Sequence, residues 1–158
     1  MAAADSSAMA TSDRELVITR VFDAPRELVF EAWTDPEQVV QWWGPRGFTT
    51  TIQEMDVRPG GVWRFVMHGP DGTNYDNKVA FVEVLKPERL VYNHGAGDES
   101  DFPPFRVTVT FDEEGDKTRL TLRLVFGSPA ARDNAVESGA LEGGTQTLDR
   151  LGEYLAEA

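Results

Sequence analysis

The residues best suited to orient a ligand or to move a proton are two histidines, two tyrosines and one asparagine. Tyr92 and His94 are two positions apart, as are Tyr75 and Asn77, so each pair shares one face if its segment is a β-strand. Imidazole titrates near neutral pH, and hydroxyl and amide groups can hydrogen-bond the polar end of a ligand. His94 is therefore the best candidate for a titratable group at a site, whereas His68, just before a Gly-Pro turn, is expected to be solvated.

The sequence lacks the common patterns of catalytic and metal sites. Without cysteine there is no thiolate catalysis, thiolate-bound zinc or iron–sulfur cluster, and the two histidines lack metal-ligand spacing. There is no Gly-x-Ser-x-Gly motif, and Gly60-Gly61 and Gly143-Gly144 lack the lysine of a phosphate-binding loop. The acidic runs 98–101 and 112–116 lack the ligand spacing of calcium loops. We therefore expect no metal and no cofactor, and we assign no catalytic residue.

Length and charge limit the class of protein and its partners. The chain has 158 residues, of which 41% are hydrophobic, and a formal net charge of −12, which disfavours nucleic acid as a partner. No apolar run approaches the roughly 20 residues that cross a bilayer, so membrane insertion is not expected. Residues 1–13 are small and polar without a signal-peptide pattern, which predicts a disordered tail before one domain over 14–158. This composition favours a cytoplasmic location.

The segment from Ala140 to Ala158 has the clearest periodicity in the chain. Its apolar positions recur at steps of three and four, which predicts an amphipathic helix with one buried face. That face contains Leu141, Thr145, Leu148, Leu151 and Leu155. Gly143, Gly144 and Gly152 are unusual inside a helix. They either leave room for a ligand between this helix and the rest of the protein or soften a bend between two helical pieces.

Most of the preceding chain is predicted to form strands. A first strand at Glu15 to Phe22 precedes two short helices, the second of which contains Trp42-Trp43. About six strands follow between 48 and 126, joined by turns such as Arg58-Pro59-Gly60-Gly61, and a short helix starts at Ser128-Pro129. Because hairpin turns join the strands without crossover helices, we predict an α+β fold with one curled antiparallel sheet closed by the last helix.

The run from Val21 to Gly47, VFDAPRELVFEAWTDPEQVVQWWGPRG, resembles the family of activator-of-heat-shock-protein-90-ATPase homologues. Shorter matches follow at 55–61, 68–72, 86–91 and 147–151, so the resemblance extends from about Glu15 to the end of the chain. The family is part of the START-like superfamily of helix-grip proteins. The resemblance implies a curled antiparallel sheet wrapped around a long C-terminal helix. Many relatives have a tryptophan near the start of that helix, where this chain has Gly143-Gly144-Thr145, so their ligands are not transferred to it.

A helix-grip fold implies a cavity between sheet and helix, and strand alternation selects the side chains that face it. Our first hypothesis is a cavity that binds a small apolar or aromatic molecule without turnover. Of the tryptophan pair, we favour Trp43 for the cavity and Trp42 for the base of the fold. The predicted lining comprises Trp43, Trp63, Phe65, Met67, Tyr75, Asn77, Phe81, Tyr92, His94, Phe105, Val107, Leu124, Leu141, Thr145 and Leu148.

Two other functions follow from the resemblance. One is a cyclase-like or hydrolase-like enzyme using the same cavity, with His94 as the titratable group. The other is a chaperone cofactor that stimulates a heat-shock ATPase. Eukaryotic activators join this domain to a separate amino-terminal domain, whereas here a short tail precedes the first strand, so we expect a chaperone partner least. The fold alone does not choose among the three.

Overall fold

A computed structural model of the chain describes residues 12–96 and 105–157. The predicted tail up to residue 11 and the predicted loop from Gly97 to Asp101 lie outside the described residues. Ser12–Arg14 form a single 3-10 turn, and Gly95 and Ala96 extend a strand instead of belonging to the predicted loop.

Seven strands form one antiparallel sheet in the order β1-β7-β6-β5-β4-β3-β2, which confirms the predicted curled sheet. Consecutive strands from β2 to β7 are neighbours, and β1 pairs with β7 because the chain returns to it at the end of the meander. The strands are β1 (Glu15–Phe22), β2 (Thr49–Met55), β3 (Val62–His68), β4 (Asn74–Leu85), β5 (Arg89–Ala96), β6 (Phe105–Glu114) and β7 (Lys117–Val125).

Four helices complete the described fold: α1 (Arg26–Thr34), α2 (Pro36–Trp42), α3 (Pro129–Glu137) and α4 (Ala140–Glu157). Ser128 caps α3, as predicted, because its side chain accepts a hydrogen bond from the Ala131 amide and Pro129 occupies the first turn. Gly139 has φ of +93°, the left-handed conformation that separates α3 from α4. Among the described residues, no helix is both long and apolar enough to cross a membrane.

The buried face of β1 could not be chosen from its sequence, because both alternating sets contain large apolar residues. In the structure Leu16 and Phe22 are buried, while Val17 and Val21 are 48% and 41% exposed. The inner set of β1 therefore faces α4 and the core.

One of the α4 glycines, Gly144, allows the helix to approach the sheet closely, because a Cβ atom there would lie 2.8 Å from Cδ1 of Ile18 on β1. A Cβ atom at Gly152 would lie 3.6 Å from the Phe22 ring, which is an ordinary contact. The helix is continuous across both positions, so they do not mark a bend. Gly143 has a different environment and lies at the cavity described below.

Candidate functional site

A cavity of about 360 Å³ lies between the inner face of the sheet, the junction of α3 and α4, and the segment that follows α2. This volume is at the lower end of the range typical of small-molecule sites. The lining residues are Trp33, Trp43, Gly44, Pro45, Met67, Tyr92, His94, Phe105, Val107, Leu122, Leu124, Ala135, Ser138, Gly139, Ala140, Gly143, Gly144, Thr147 and Leu148.

Eight of the fifteen residues predicted from the sequence lie along this cavity. They come from the end of α2, strands β3, β5, β6 and β7, and helix α4. These residues are Trp43, Met67, Tyr92, His94, Phe105, Val107, Leu124 and Leu148.

The other seven lie elsewhere in the structure. Trp63, Phe65 and Phe81 are buried in the core behind the cavity wall. Tyr75 and Leu141 are 47% and 45% exposed, because Tyr75 is at the open end of β4 and Leu141 is in the first turn of α4. The Thr145 hydroxyl donates to the Leu141 carbonyl within its own helix, and Asn77 contacts the ring of a lining residue instead of the cavity.

Tryptophans form one wall of the cavity. The Trp43 ring packs edge to face against Trp33, Trp42 and Trp63, at centroid distances of 5.3, 5.5 and 4.8 Å. Trp42 is fully buried and its indole nitrogen donates to the Ala32 carbonyl at 3.1 Å, which holds α2 against α1. Trp42 is therefore part of the helical base, and Trp43 contributes its ring to the cavity.

The orientation of the His94 ring is set by Asn77 on the neighbouring strand. Asn77 Nδ2 donates to the Tyr75 carbonyl at 3.0 Å, so the amide oxygen Oδ1 faces Nε2 of His94 at 2.9 Å. An amide oxygen only accepts, which means that His94 is protonated on Nε2. Burial lowers the pKa of His94 from 6.5 to about 4, so the ring is neutral at pH 7. Its Nδ1 is then a hydrogen-bond acceptor with no partner among the described residues.

Tyr92 is the second polar group of the cavity. Its side chain is only 2% exposed, and its hydroxyl has no hydrogen-bond partner within 12–96 or 105–157. Burial alone raises its pKa well above the ordinary value, so the hydroxyl is protonated at neutral pH. A ligand with a polar atom can form a hydrogen bond with this hydroxyl.

The lining contains no Lys, Arg, Asp or Glu among the residues that the structure describes. Nor do three or more side chains of metal-ligating type meet anywhere in that part of the chain. The site is therefore a largely apolar cavity, whose polar side-chain groups include Nδ1 of His94, the Tyr92 hydroxyl and the indole nitrogen of Trp33, which is buried without a partner among the described residues. Ser138, an exposed residue between α3 and α4, adds a polar group at the edge.

The segment from Trp43 to Phe48 is held against α4 by Arg150. One nitrogen of the guanidinium, Nη1, lies within hydrogen-bond distance of the carbonyls of Trp43, Gly44, Pro45 and Phe48, at 2.9 to 3.3 Å. Burial, with a smaller contribution from Arg46, lowers the pKa of Arg150 from its usual value. Since three of these carbonyls come from cavity-lining residues, Arg150 fixes the position of that wall relative to the helix.

Replacing Arg150 with methionine should destabilise the protein by about 2 kcal/mol, because charged hydrogen bonds to several carbonyls are lost while the aliphatic stem is kept. Urea unfolding measures the change. Arg46→Met is the matched control, since Arg46 forms an exposed ion pair with Glu153 and should contribute much less. Equal losses in the free energy of unfolding in the two variants would show that the hydrogen bonds from Arg150 to these carbonyls do not stabilise the protein more than an exposed ion pair does.

Several lining residues were not predicted from the sequence. Leu122 belongs to the same alternating apolar stripe of β7 as Leu124 and could have been found from it. Ala135 and Ser138 lie around the end of α3. No sequence pattern placed them at the cavity, because α3 has no buried residue and no apolar stripe. The pair Gly143-Gly144 could have been found from the sequence, since two adjacent glycines inside a helix indicate a close approach or an empty space.

A curled antiparallel sheet closed by a long C-terminal helix over an apolar cavity defines a START-like helix-grip protein. The chain belongs to the family described as Activator of Hsp90 ATPase homolog 1-like protein, whose model matches residues 23–156. This confirms the resemblance seen in the sequence.

Solved structures agree with this assignment. A crystal structure of a protein from Mycobacterium smegmatis is 29% identical, with a TM-score of 0.83 and 92% of each chain covered. A solution structure from Arthrobacter aurescens is 27% identical, with a TM-score of 0.87 over 94% of this chain and 89% of the other. A protein of the same family from Silicibacter pomeroyi is 25% identical, with a TM-score of 0.75 over 90% and 97%. A comparison with curated proteins finds no match.

Proposed function

We propose that this protein binds a small hydrophobic or aromatic molecule in the cavity beneath α4, without chemical turnover. The observation that supports this best is the cavity itself, which is largely apolar and has few polar groups for a ligand, among them the Tyr92 hydroxyl, Nδ1 of His94 and the unpartnered indole nitrogen of Trp33. Membership of the family agrees, because this fold commonly binds small hydrophobic ligands.

The affinity would come mainly from burial of apolar surface. A ligand that loses about 300 Å² of apolar surface to the cavity gains roughly 7 kcal/mol at 25 cal/mol per Å². Association costs offset part of this gain, and hydrogen bonds to Tyr92 and His94 add to it. With an association cost of about 4 kcal/mol and about 1 kcal/mol from each hydrogen bond, the net gain is about 5 kcal/mol, which corresponds to a dissociation constant of a few hundred micromolar, on the order of 10⁻⁴ M.

Binding is better supported than catalysis by the environment of His94. With its pKa lowered to about 4, the imidazole is a weak base at neutral pH, whereas a general base acts best with a pKa near the working pH. Within the described lining, no carboxylate or second histidine accompanies it to form an acid–base pair. An enzyme remains the second candidate only because His94 is a titratable group inside the cavity.

Ligand binding can be tested by amide shift perturbation on ¹⁵N-labelled protein with fatty acids, flavonoids and polycyclic aromatics. The proposal expects shifts concentrated at Trp43, His94, Phe105 and residues 143–148, with little change at Val17 and Val21 on the outer face of β1. A time course on the bound compound then separates binding from turnover. Uniform or absent shifts across the panel would contradict the proposal, and a product that accumulates would favour the enzyme.

A further inference from the structure

We propose that the ligand is an uncharged molecule that donates a hydrogen bond, such as a phenol, to Nδ1 of His94. This inference rests on the proposed function and specifies the chemistry of the ligand. It depends on the protonation of one ring, on the lack of charge in the lining, and on the satisfied state of the nearby arginines.

The His94 ring can only accept a hydrogen bond from the cavity. Asn77 is 8% exposed, and its amide is fixed from behind by the Tyr75 carbonyl, so it presents oxygen and not nitrogen to Nε2. Turning the amide over would place its oxygen against the Tyr75 carbonyl oxygen, which loses that hydrogen bond and sets two acceptors against each other. The neutral ring thus offers a lone pair at Nδ1, and a ligand must bring the proton.

Tyr92 can form a second hydrogen bond with the ligand, but it discriminates little between a donor and an acceptor on that ligand. It is two residues from His94 on the same face of β5, and the two ring centroids are 6.4 Å apart. Its hydroxyl either donates or accepts, so it can pair with an ether, a ketone or an alcohol. Trp33 also lines the cavity, and its buried indole nitrogen, which has no partner among the described residues, can donate to such an acceptor. The group that requires a donor on the ligand is His94.

A carboxylate is disfavoured because nothing in the described cavity would neutralise it. The two arginines beside the wall formed by 43–48 are already engaged. Arg150 donates to backbone carbonyls, and both terminal nitrogens of Arg46 contact the Glu153 carboxylate, at 3.2 and 2.6 Å. A buried carboxylate would also face the lone pair of Nδ1, and an unpaired buried charge is far more costly than an unpaired hydroxyl.

Four naphthalene derivatives of similar shape test this chemistry by isothermal titration calorimetry at pH 7.5. 2-Naphthol donates and accepts, 2-methoxynaphthalene only accepts, naphthalene does neither, and 2-naphthoate is an anion. One hydrogen bond corresponds to about a fivefold change in affinity, so we expect naphthol to bind about five times more tightly than the methoxy compound. Naphthoate should bind at least about tenfold more weakly than naphthalene.

The double variant His94→Phe/Asn77→Leu tests the assignment to His94. The His94 ring lies near the rings of Phe65 and Phe105, at 5.8 and 5.2 Å, so an aromatic replacement suits its surroundings, and removing both polar partners leaves no orphaned amide oxygen. Naphthol and 2-methoxynaphthalene should then bind equally well. Tyr92→Phe, which keeps the ring and removes only the hydroxyl, should weaken both but retain the preference for naphthol.

The outcomes separate this inference from the proposed function. If naphthalene and its derivatives bind with equal affinity, the cavity is a binding site and the donor requirement is wrong. If naphthoate binds best, the charge argument is wrong. If none of the four compounds binds but shift perturbation finds another ligand at the cavity, the inference about ligand chemistry is wrong and the proposed function stands. If no compound of any kind binds at the cavity, the inference and the proposed function are both wrong. A preference for naphthol that survives in the double variant would overturn the role of His94.

Discussion

Phenylalanine at position 143 should weaken ligand binding by about 100-fold or abolish it. A Cβ atom at Gly143 would meet only Cγ of Pro45, at 3.4 Å, and Gly143 lines the cavity, so a larger side chain has the cavity as its free space. The benzyl group would occupy volume that a ligand ring needs. Replacing a helical glycine also gains up to about 1 kcal/mol of helix propensity, so the variant should remain folded.

Leu141→Phe is the matched control for this substitution. Leu141 is two residues earlier in the same helix and is 45% exposed outside the cavity, so an aromatic ring there should leave the affinity unchanged. Calorimetry with 2-naphthol or a ligand found in the panel compares the two variants, and the melting temperature of each shows that it is folded. Full affinity in a folded Gly143→Phe would show that the ligand binds elsewhere.

The fold was predictable because turns and alternation are local properties. The predicted type II turn at Arg58 to Gly61 is present, with Gly60 at φ of +84° and the Gly61 amide donating to the Arg58 carbonyl at 2.8 Å. The alternating stripes of β6 and β7 are paired as Val107 with Leu124 and Val109 with Leu122. Sequence spacing alone therefore defined which side chains share the inner face of these strands.

The candidate site was less predictable than the fold. Alternation shows which residues share one face of a strand, but it does not show which residues along that face reach the cavity. Trp63, Phe65 and Met67 share one face of β3, yet only Met67 reaches the cavity. The other two rings are stacked at 4.3 Å and are covered by Trp43, which arrives from a distant part of the chain. Contacts of this kind depend on how α2 and α4 pack on the sheet, which no local pattern encodes.

The pairing of Asn77 with His94 shows the same limit. Both residues were predicted as polar members of the lining, and nothing in the sequence pattern separated their roles. The register between β4 and β5 places His94 opposite Val79, so Asn77 reaches the ring diagonally. His94 then lies at the cavity, while Asn77 sets the tautomer of the His94 ring. These two roles are distinguished only by the register between β4 and β5.

Acid should destabilise the protein through His94 by up to about 3 kcal/mol. Folding lowers the pKa of His94 from 6.5 to about 4, so between these values the unfolded chain binds the proton and the folded protein does not. The contribution of the neutral His94 ring to the free energy of unfolding is fully present above about pH 6.5 and is lost progressively as the pH falls towards 4. Below about pH 4 it does not change further. The described side chains facing this ring are Asn77, Phe65, Tyr92 and Phe105, none of which is charged.

Urea unfolding at intervals between pH 7.5 and pH 4 measures this loss, and the double variant His94→Phe/Asn77→Leu is the control. Carboxylates also titrate towards pH 4, so the relevant quantity is the difference between the two profiles and not the slope of either. The difference should change by about 3 kcal/mol across the range, with wild type losing more stability than the variant. Parallel profiles would mean that the folded protein accepts a proton on His94 as readily as the unfolded chain does, and that the ring is not desolvated at the cavity wall.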